Sequence, residues 1–358
     1  MKLRIGLLGL SNDWQTRYLP AIRTLQDRYE LAGVYCPISA FAETVAREFE
    51  TVRYDGYRKM LQQDDIDAVL MLESQWYGAL PILAACDYGK AVYCGSEIDF
   101  DPKQAAAVRQ EVDKSGIAFM AEFPRRFAPA SLRLKELIAT RLGAPQILFC
   151  HKRLTCDPEG HRGKPLQAKV DRELMELIDW CSFIVGRKIR SVQCVQHQRL
   201  SQASSELQTD YRSMSVDLSA PDSPLGTTVA QISCGTYFPN AWHEAIAYRP
   251  PAAVQVCCEK GLAFVDLPHG LVWFDEAGRH QESLDTERAG GQQLLTQFHR
   301  AVTSLVRKMG DLDDVYQCLR ALQAARESVQ LRRAIDLYSL SQNHSTLSTL
   351  SSSQQRWR

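Results

Sequence analysis

A chain of 358 residues, 45% hydrophobic and 23% charged, has room for two domains and enough apolar mass to give each a core. Its 42 basic and 42 acidic residues cancel, which removes the long-range field that would draw nucleic acid or an anionic membrane. No apolar run approaches the roughly 18 residues a membrane span needs, so neither nucleic acid nor a membrane is expected as a partner.

In chain order, Leu3, Ile5, Leu7 and Leu8 form a buried run that is too short for a secretory signal and reads as a strand. Gly9 begins a loop, and Tyr18 to Tyr29 has helical periodicity. Strands are predicted at Leu31 to Cys36, Asp67 to Leu72, Ala91 to Cys94 and Ile117 to Ala121. Between them fall helices at Ala40 to Glu50, Trp76 to Tyr88 and Lys103 to Lys114. Continuous apolar strands separated by helices imply an α/β, doubly wound Rossmann domain over residues 1–122.

After a linking helix, Pro129 to Thr140, the pattern changes. Strand-like runs follow at Gln146 to Leu154, Arg190 to His197, Tyr211 to Leu218, Thr227 to Cys234, Ala245 to Tyr248, Val254 to Cys258, Ala263 to Leu267 and Leu271 to Phe274. Asp171 to Val185 is the helix that interrupts them. Such a meander predicts a C-terminal α+β domain over 123–338 with a large, mostly antiparallel open sheet, closed by helices at Gly291 to Met309 and Asp311 to Ala334. Residues 339–358, rich in Ser, Thr and Gln, are expected to be a disordered tail. The 11 cysteines are odd in number and scattered, with Cys94, Cys150, Cys234 and Cys257 inside apolar runs, which fits free thiols in a reducing cytoplasm. Cys150, Cys156 and His161 match no tight ligand spacing, so no metal site is expected.

Several segments, in the same order, resemble the Gfo/Idh/MocA oxidoreductases, the family of glucose-fructose oxidoreductase and inositol dehydrogenase. Asp67-Ala-Val-Leu-Met-Leu, then Leu80-Pro-Ile-Leu-Ala-Ala and Gly89-Lys-Ala-Val-Tyr-Cys, are similar to the family stretch from D-A-V-x-I-A-T-P to G-K-H-V-x-C-E-K-P. Arg125-Arg126-Phe127-Ala-Pro resembles its R-R-F-x-P segment, Glu259-Lys260-Gly261 the turn of its large sheet, and Asp313 to Glu327 its closing helix. The resemblance implies NAD or NADP as cofactor, a small-molecule ligand and a homo-oligomer built on the open sheet.

The departures from the family pattern are concentrated where its chemistry lies. A dinucleotide turn ordinarily reads G-x-G-x-x-G, for a tight turn, a close pyrophosphate and close helix packing. Here Gly9-Leu10-Ser11-Asn12-Asp13-Trp14 keeps the first glycine alone. Trp14 is expected to pack rather than to stack on a ligand, and its bulk counts against the usual pyrophosphate approach. Cys36 stands where an acidic residue commonly meets the ribose, with no arginine evident in 37–40 for a 2′-phosphate, and Glu73-Ser74 replaces the T-P pair at the nicotinamide rim.

By the same resemblance, Ser96 of Gly95-Ser96-Glu97 takes the position of the family lysine. Glu176 of the segment Arg172 to Asp179 takes that of its histidine, and Asp179 persists. Glu97, Glu176, Asp179 and Glu73 are therefore the carboxylates to examine for acid and base work, against the plain alternative that Glu176 and Asp179 pair with Arg172 or Lys169 on a solvated helix face. Arg126, with Arg125, Lys152, Arg153, Arg162 and Lys164, offers cations for an anionic ligand. Two classes of function follow: a ligand-binding or regulatory member, acting on a small molecule or a protein partner, and an NAD(P)-dependent oxidoreductase on a sugar or cyclic polyol that uses Glu176 or Glu97 for proton transfer.

Overall fold

The computed structural model describes residues 1–11, 13–73, 77–95, 102–156, 166–200, 207–220, 227–239, 244, 252–284, 290–304 and 311–337. The chain divides into two compact units, Met1–Phe127 with Thr286–Leu319, and Ala128–Asp285 with Arg320–Arg358.

The first unit opens with β1 (Leu3–Leu8), α1 (Leu19–Thr24), β2 (Tyr29–Tyr35), α2 (Ser39–Glu48), β3 (Val52–Arg53) and α3 (Tyr57–Leu61). It continues with β4 (Ala68–Met71), α4 (Leu80–Asp87), β5 (Ala91–Cys94), α5 (Pro102–Ser115) and β6 (Phe119–Ala121). The strands pair in parallel in the order β3-β2-β1-β4-β5-β6. Strands β4 and β5 are buried at every position, because helices cover both faces of a parallel sheet.

Helix α1 is shorter than its periodicity predicts. A π-type turn, Trp14–Tyr18, precedes it, and the chain joins the sheet early, where the Leu3 N–H donates to the Arg28 carbonyl at 2.7 Å. Tyr29, predicted as helix, thus begins β2, and its hydroxyl donates to the Leu295 carbonyl at 2.6 Å. Sheet pairing overrides local helical preference here. Helix α4 likewise starts at Leu80 and not near Trp76, which lies outside the described residues.

The second unit contains α6 (Pro129–Leu137), β7 (Pro145–Cys156), α7 (Leu166–Val185), β8 (Ser191–Leu200), β9 (Leu207–Asp217) and β10 (Val229–Pro239). It continues with β11 (Val254–Cys258), β12 (Leu262–Asp266), β13 (Gly270–Asp275) and β14 (Gly278–Ser283). Helix α8 (Gly290–Thr303) belongs to the first unit, and α9 (Asp311–Leu331) starts there and ends in the second. A final short strand, β15 (Ile335–Asp336), takes residues next to the predicted helix end and pairs with β8.

The nine strands run β14-β13-β12-β11-β7-β10-β9-β8-β15, antiparallel except between β7 and β10. One face is buried, with Leu148, Cys150, Ile232 and Val256 inward; the other leaves Ile147 and Phe149 exposed. The predicted strand at Ala245 to Tyr248 lies outside the described residues. Strand β14 was not predicted, since Gly-Arg-His-Gln-Glu-Ser contains no apolar alternation. Among the described residues no helix is long and apolar enough to cross a membrane.

Candidate functional site

Parallel strands of a doubly wound sheet end on one edge, and ligands bind where the strand order reverses. In this sheet that point lies between β1 and β4. Gly9 follows β1 with φ +74°, and its N–H donates to the Tyr35 carbonyl at 2.8 Å, while the Leu72 N–H donates to the Leu8 carbonyl at 3.0 Å. A Cβ built on Gly9 would stand 2.8 Å from the Glu73 Cβ and 3.0 Å from the Glu73 carbonyl oxygen. The first glycine of the turn is therefore required both by its left-handed backbone and by the close approach of the β4 end.

Beyond Gly9 the turn uses its own side chains. The Trp14 N–H donates to the Ser11 carbonyl at 3.0 Å and the Arg17 N–H to the Asp13 carbonyl at 2.8 Å. Trp14 is only 4% exposed and tilts against Phe49 with centroids 6.3 Å apart, so its indole fills the core. Ser11 Oγ and Trp14 Nε1 are buried and have no hydrogen-bond partner among the described residues. Asn12 lies outside the described residues. The kept first glycine and the Ser11 hydroxyl, unpaired among the described residues, are the features of this turn that suit a dinucleotide.

The adjoining rim is formed by Cys36, Glu73 and three tyrosines. Burial pushes the Cys36 thiol up and the Glu73 carboxylate adds to this, while the Ile38 and Leu10 N–H groups oppose it. The structure thus brings together Leu10, Cys36 and Glu73. The Tyr35 and Tyr77 hydroxyls are 2.7 Å apart, and Tyr57 lies with its centroid 6.3 Å from Tyr35 and 5.6 Å from Tyr77. Burial, the hydrogen bond to Tyr35 and the nearby Glu73 all keep the Tyr77 hydroxyl protonated.

A buried ionic cluster that sequence reasoning missed sits at the end of β6. The Glu122 carboxylate accepts from the Tyr18 hydroxyl, from Arg17, and from the Tyr93 hydroxyl at 2.6 Å. It ties the turn before α1 to β5 and β6. Arg126, a candidate for substrate binding, pairs with Asp314 at 2.8 Å and lies over the Phe123 ring at 4.8 Å. Glu97 and Ser96 lie outside the described residues.

In the second unit, Glu176 and Asp179 are three residues apart on α7, hence on neighbouring positions of one helix face. Asp179 is 1% exposed and Glu176 is half-buried. The next residue, Trp180, donates from Nε1 to Ser131 Oγ at 2.9 Å and fixes the helix on α6. The helix also holds Asp171, which bonds the buried Arg212 and, at 2.8 Å, Arg326. That ion pair had no local signal, because Arg212 is 41 residues downstream. Of the remaining cation candidates, Arg125, Lys152 and Arg153 are described, whereas Arg162 and Lys164 are not.

The parallel order of the first sheet and the Gly9 turn at its switch point define a Rossmann-type dinucleotide-binding unit. Residues 3–123 match the model of the oxidoreductase family with an NAD-binding Rossmann fold, GFO_IDH_MocA. D-xylose 1-dehydrogenase (NADP(+)) 2 of Haloferax volcanii is 29% identical over 148 residues, which are 40% of this chain and 43% of that protein. Inositol 2-dehydrogenase 4 of Saccharopolyspora erythraea is 25% identical over 65% of this chain and 68% of its own length. The aldose-aldose oxidoreductase structure from Caulobacter crescentus shares the fold, with a TM-score of 0.78 over 94% of this chain and 100% of that one at 15% identity. Residues 3–123 thus match the Gfo/Idh/MocA oxidoreductase family, described as having an NAD-binding Rossmann fold, and two of the chain's relatives are named as NADP(+)- and NAD(+)-dependent dehydrogenases.

Proposed function

We propose that this chain binds a nicotinamide dinucleotide in its first unit and a small ligand, polyhydroxylated or anionic, as a ligand-binding or regulatory member of the family. The observation that carries the first half is the Gly9 turn, left-handed and pressed against Glu73 at the switch point, with Trp14 turned into the core instead of across the crevice. The second half rests on the sequence resemblance to the family. Ser96 at the lysine position and Glu176 at the histidine position do not reproduce its standard proton-transfer pair.

When bound, the nicotinamide supplies or accepts a hydride. Gly9, Leu10, Ser11 and Asp13 would hold the pyrophosphate, Cys36 would face the adenosine ribose, and Glu73, close to Cys36, would line the crevice between that ribose and the nicotinamide. A second reading, an active oxidoreductase on a sugar or cyclic polyol, is favoured by the dehydrogenase names of the relatives. In it Glu176 or Glu97 moves the proton, and the half-buried setting of Glu176 is one in which a carboxyl can be tuned for that task.

Thermal unfolding with NAD, NADH, NADP and NADPH tests the shared part: a nucleotide at 100 times its dissociation constant adds about 2.7 kcal/mol. No shift with any of the four removes dinucleotide binding. Nicotinamide absorbance across a panel of aldoses and inositols then separates the readings. Binding without absorbance change is the expected result. Turnover that falls about 100-fold or more in Glu176→Gln, with nucleotide affinity kept, replaces the first reading by the second.

The reading also includes a cytoplasmic homo-oligomer. It is supported by the uncovered sheet face, where Ile147 and Phe149 on the central strand β7 are 44% and 46% exposed and Val195 is 65% exposed. Sedimentation equilibrium is expected to give at least a dimer; a monomer at micromolar concentration would remove this part.

A further inference from the structure

We infer that the crevice of the first unit selects NAD(H) over NADP(H), through an acidic wall without lysine or arginine made by Tyr35, Cys36, Glu73 and Tyr77. The inference rests on the dinucleotide reading above and names which dinucleotide is taken. Discrimination between the two is a matter of one phosphate on the adenosine ribose, and a doubly wound fold meets that ribose at the end of its second strand. An acid there holds the free hydroxyls, whereas an arginine nearby accommodates the phosphate.

In this chain β2 ends at Tyr35, and Cys36 follows it with its thiol toward the Leu10 and Ile38 N–H groups. Three segments meet around it. Residues 8–14, 35–42 and 72–80 contain no lysine or arginine, and they contain two acids, Asp13 and Glu73. The count covers Asn12 and the Ser74-Gln75-Trp76 stretch, which add no charge whatever their placement.

Two contacts place the acid where it matters. Glu73 is the residue that crowds Gly9, so it stands at the mouth of the turn. The 2.7 Å contact between the Tyr35 and Tyr77 hydroxyls then draws the segment after β4 across to the end of β2. The Glu73 carboxylate is felt at both Cys36 and Tyr77. Tyr35, Tyr57 and Tyr77 form a half-buried ring cluster of low polarity, in which an added charge is poorly solvated.

Among the described residues Arg58 is set against this cluster, with its guanidinium carbon 6.0 Å from the Tyr57 centroid on an exposed side chain. Arg17 is engaged by Glu122 and by Asp13. A ribose phosphate carries close to two negative charges near neutral pH and would meet Glu73 before it met a fixed cation. A free ribose hydroxyl can instead donate to that carboxylate, as an acid at the end of the second strand ordinarily allows. The acid has moved from the β2 end to the β4 end, and the selectivity it confers is retained.

The test is a pair of dissociation constants, NADH and NADPH, measured by nicotinamide fluorescence on the full chain at one fixed ionic strength. NADH is expected to bind at least about tenfold more tightly. Two variants locate the cause. Glu73→Gln should bring the two constants within about threefold, by tightening NADPH and weakening NADH. Ile38→Arg, at a side chain 55% exposed and two residues beyond Cys36, should tighten NADPH while leaving NADH unchanged. Equal constants in the unaltered chain, or tighter NADPH, overturn the inference while dinucleotide binding stands. A ratio unmoved by Glu73→Gln also overturns it, as the wall would then not be the cause. If neither nucleotide binds, the dinucleotide reading itself has failed, and the inference falls with it.

Discussion

Replacing Glu122 by alanine is expected to destabilise the protein by about 3–5 kcal/mol, among the largest losses any single substitution in the first unit should cause. The carboxylate is fully buried, and three donors converge on it: the hydroxyls of Tyr18 and Tyr93 and the Arg17 guanidinium. Burial first, and the neighbouring carboxylate second, keep both phenols protonated, so both remain donors at any working pH. Without Glu122 two interior hydroxyls lose their acceptor, at about 1–3 kcal/mol each. Arg17 is partly exposed and can turn to water, so its share is small. Glu122→Gln, which keeps the shape and one good acceptor, should cost roughly half as much. Urea unfolding of both variants provides the check. A loss below about 1 kcal/mol for the alanine variant would mean that the cluster does not hold α1 against β5 and β6.

Gly9→Ala should cost about 2–4 kcal/mol and weaken nucleotide binding with it. A left-handed backbone adds roughly 1–2 kcal/mol for any residue with a Cβ. The rest comes from crowding: the new methyl would lie 2.8 Å from the Glu73 Cβ and 3.0 Å from its carbonyl oxygen, and a strand end gives way less readily than a side chain tip. Gly89→Ala is the control. Gly89 has φ +66° with no atom within 4 Å of a built Cβ, so it reports the backbone cost alone. Equal losses in the two variants by chemical denaturation would show that Glu73 is not pressed against the turn.

The parts of the fold legible in the sequence were those whose burial is continuous. Strands β4 and β5 are apolar throughout and β1 is apolar but for Arg4, which is the signature of a sheet covered on both faces, and they lie where the runs predict. Their parallel order then fixes which loops share an edge. For that reason Gly9, Leu10, Cys36 and Glu73, drawn from three distant segments, could be anticipated as neighbours. Strand β14 was invisible because it is an edge strand with polar residues on both faces.

The ionic clusters were invisible for a different reason. Tyr18 and Glu122 are 104 residues apart, and nothing in either neighbourhood marks one as the partner of the other. Glu122 directly follows the short strand β6, Phe119–Ala121. Trp14 was expected to pack, but the surface that receives it includes Phe49, a residue after α2 that no local pattern connects to the turn. Periodicity reports which side of an element is apolar; it does not report which polar atoms find each other inside.

The anchoring of the turn before α1 has a further consequence. At one end Gly9 is fixed to the Tyr35 carbonyl, and at the other Tyr18 is fixed to Glu122. A flexible loop that must settle around its guest loses conformational freedom at the moment of capture, and affinity falls accordingly. Here both margins of the turn are held as soon as the chain folds, so the nucleotide binding proposed above would carry little of that cost at Gly9 and Tyr18.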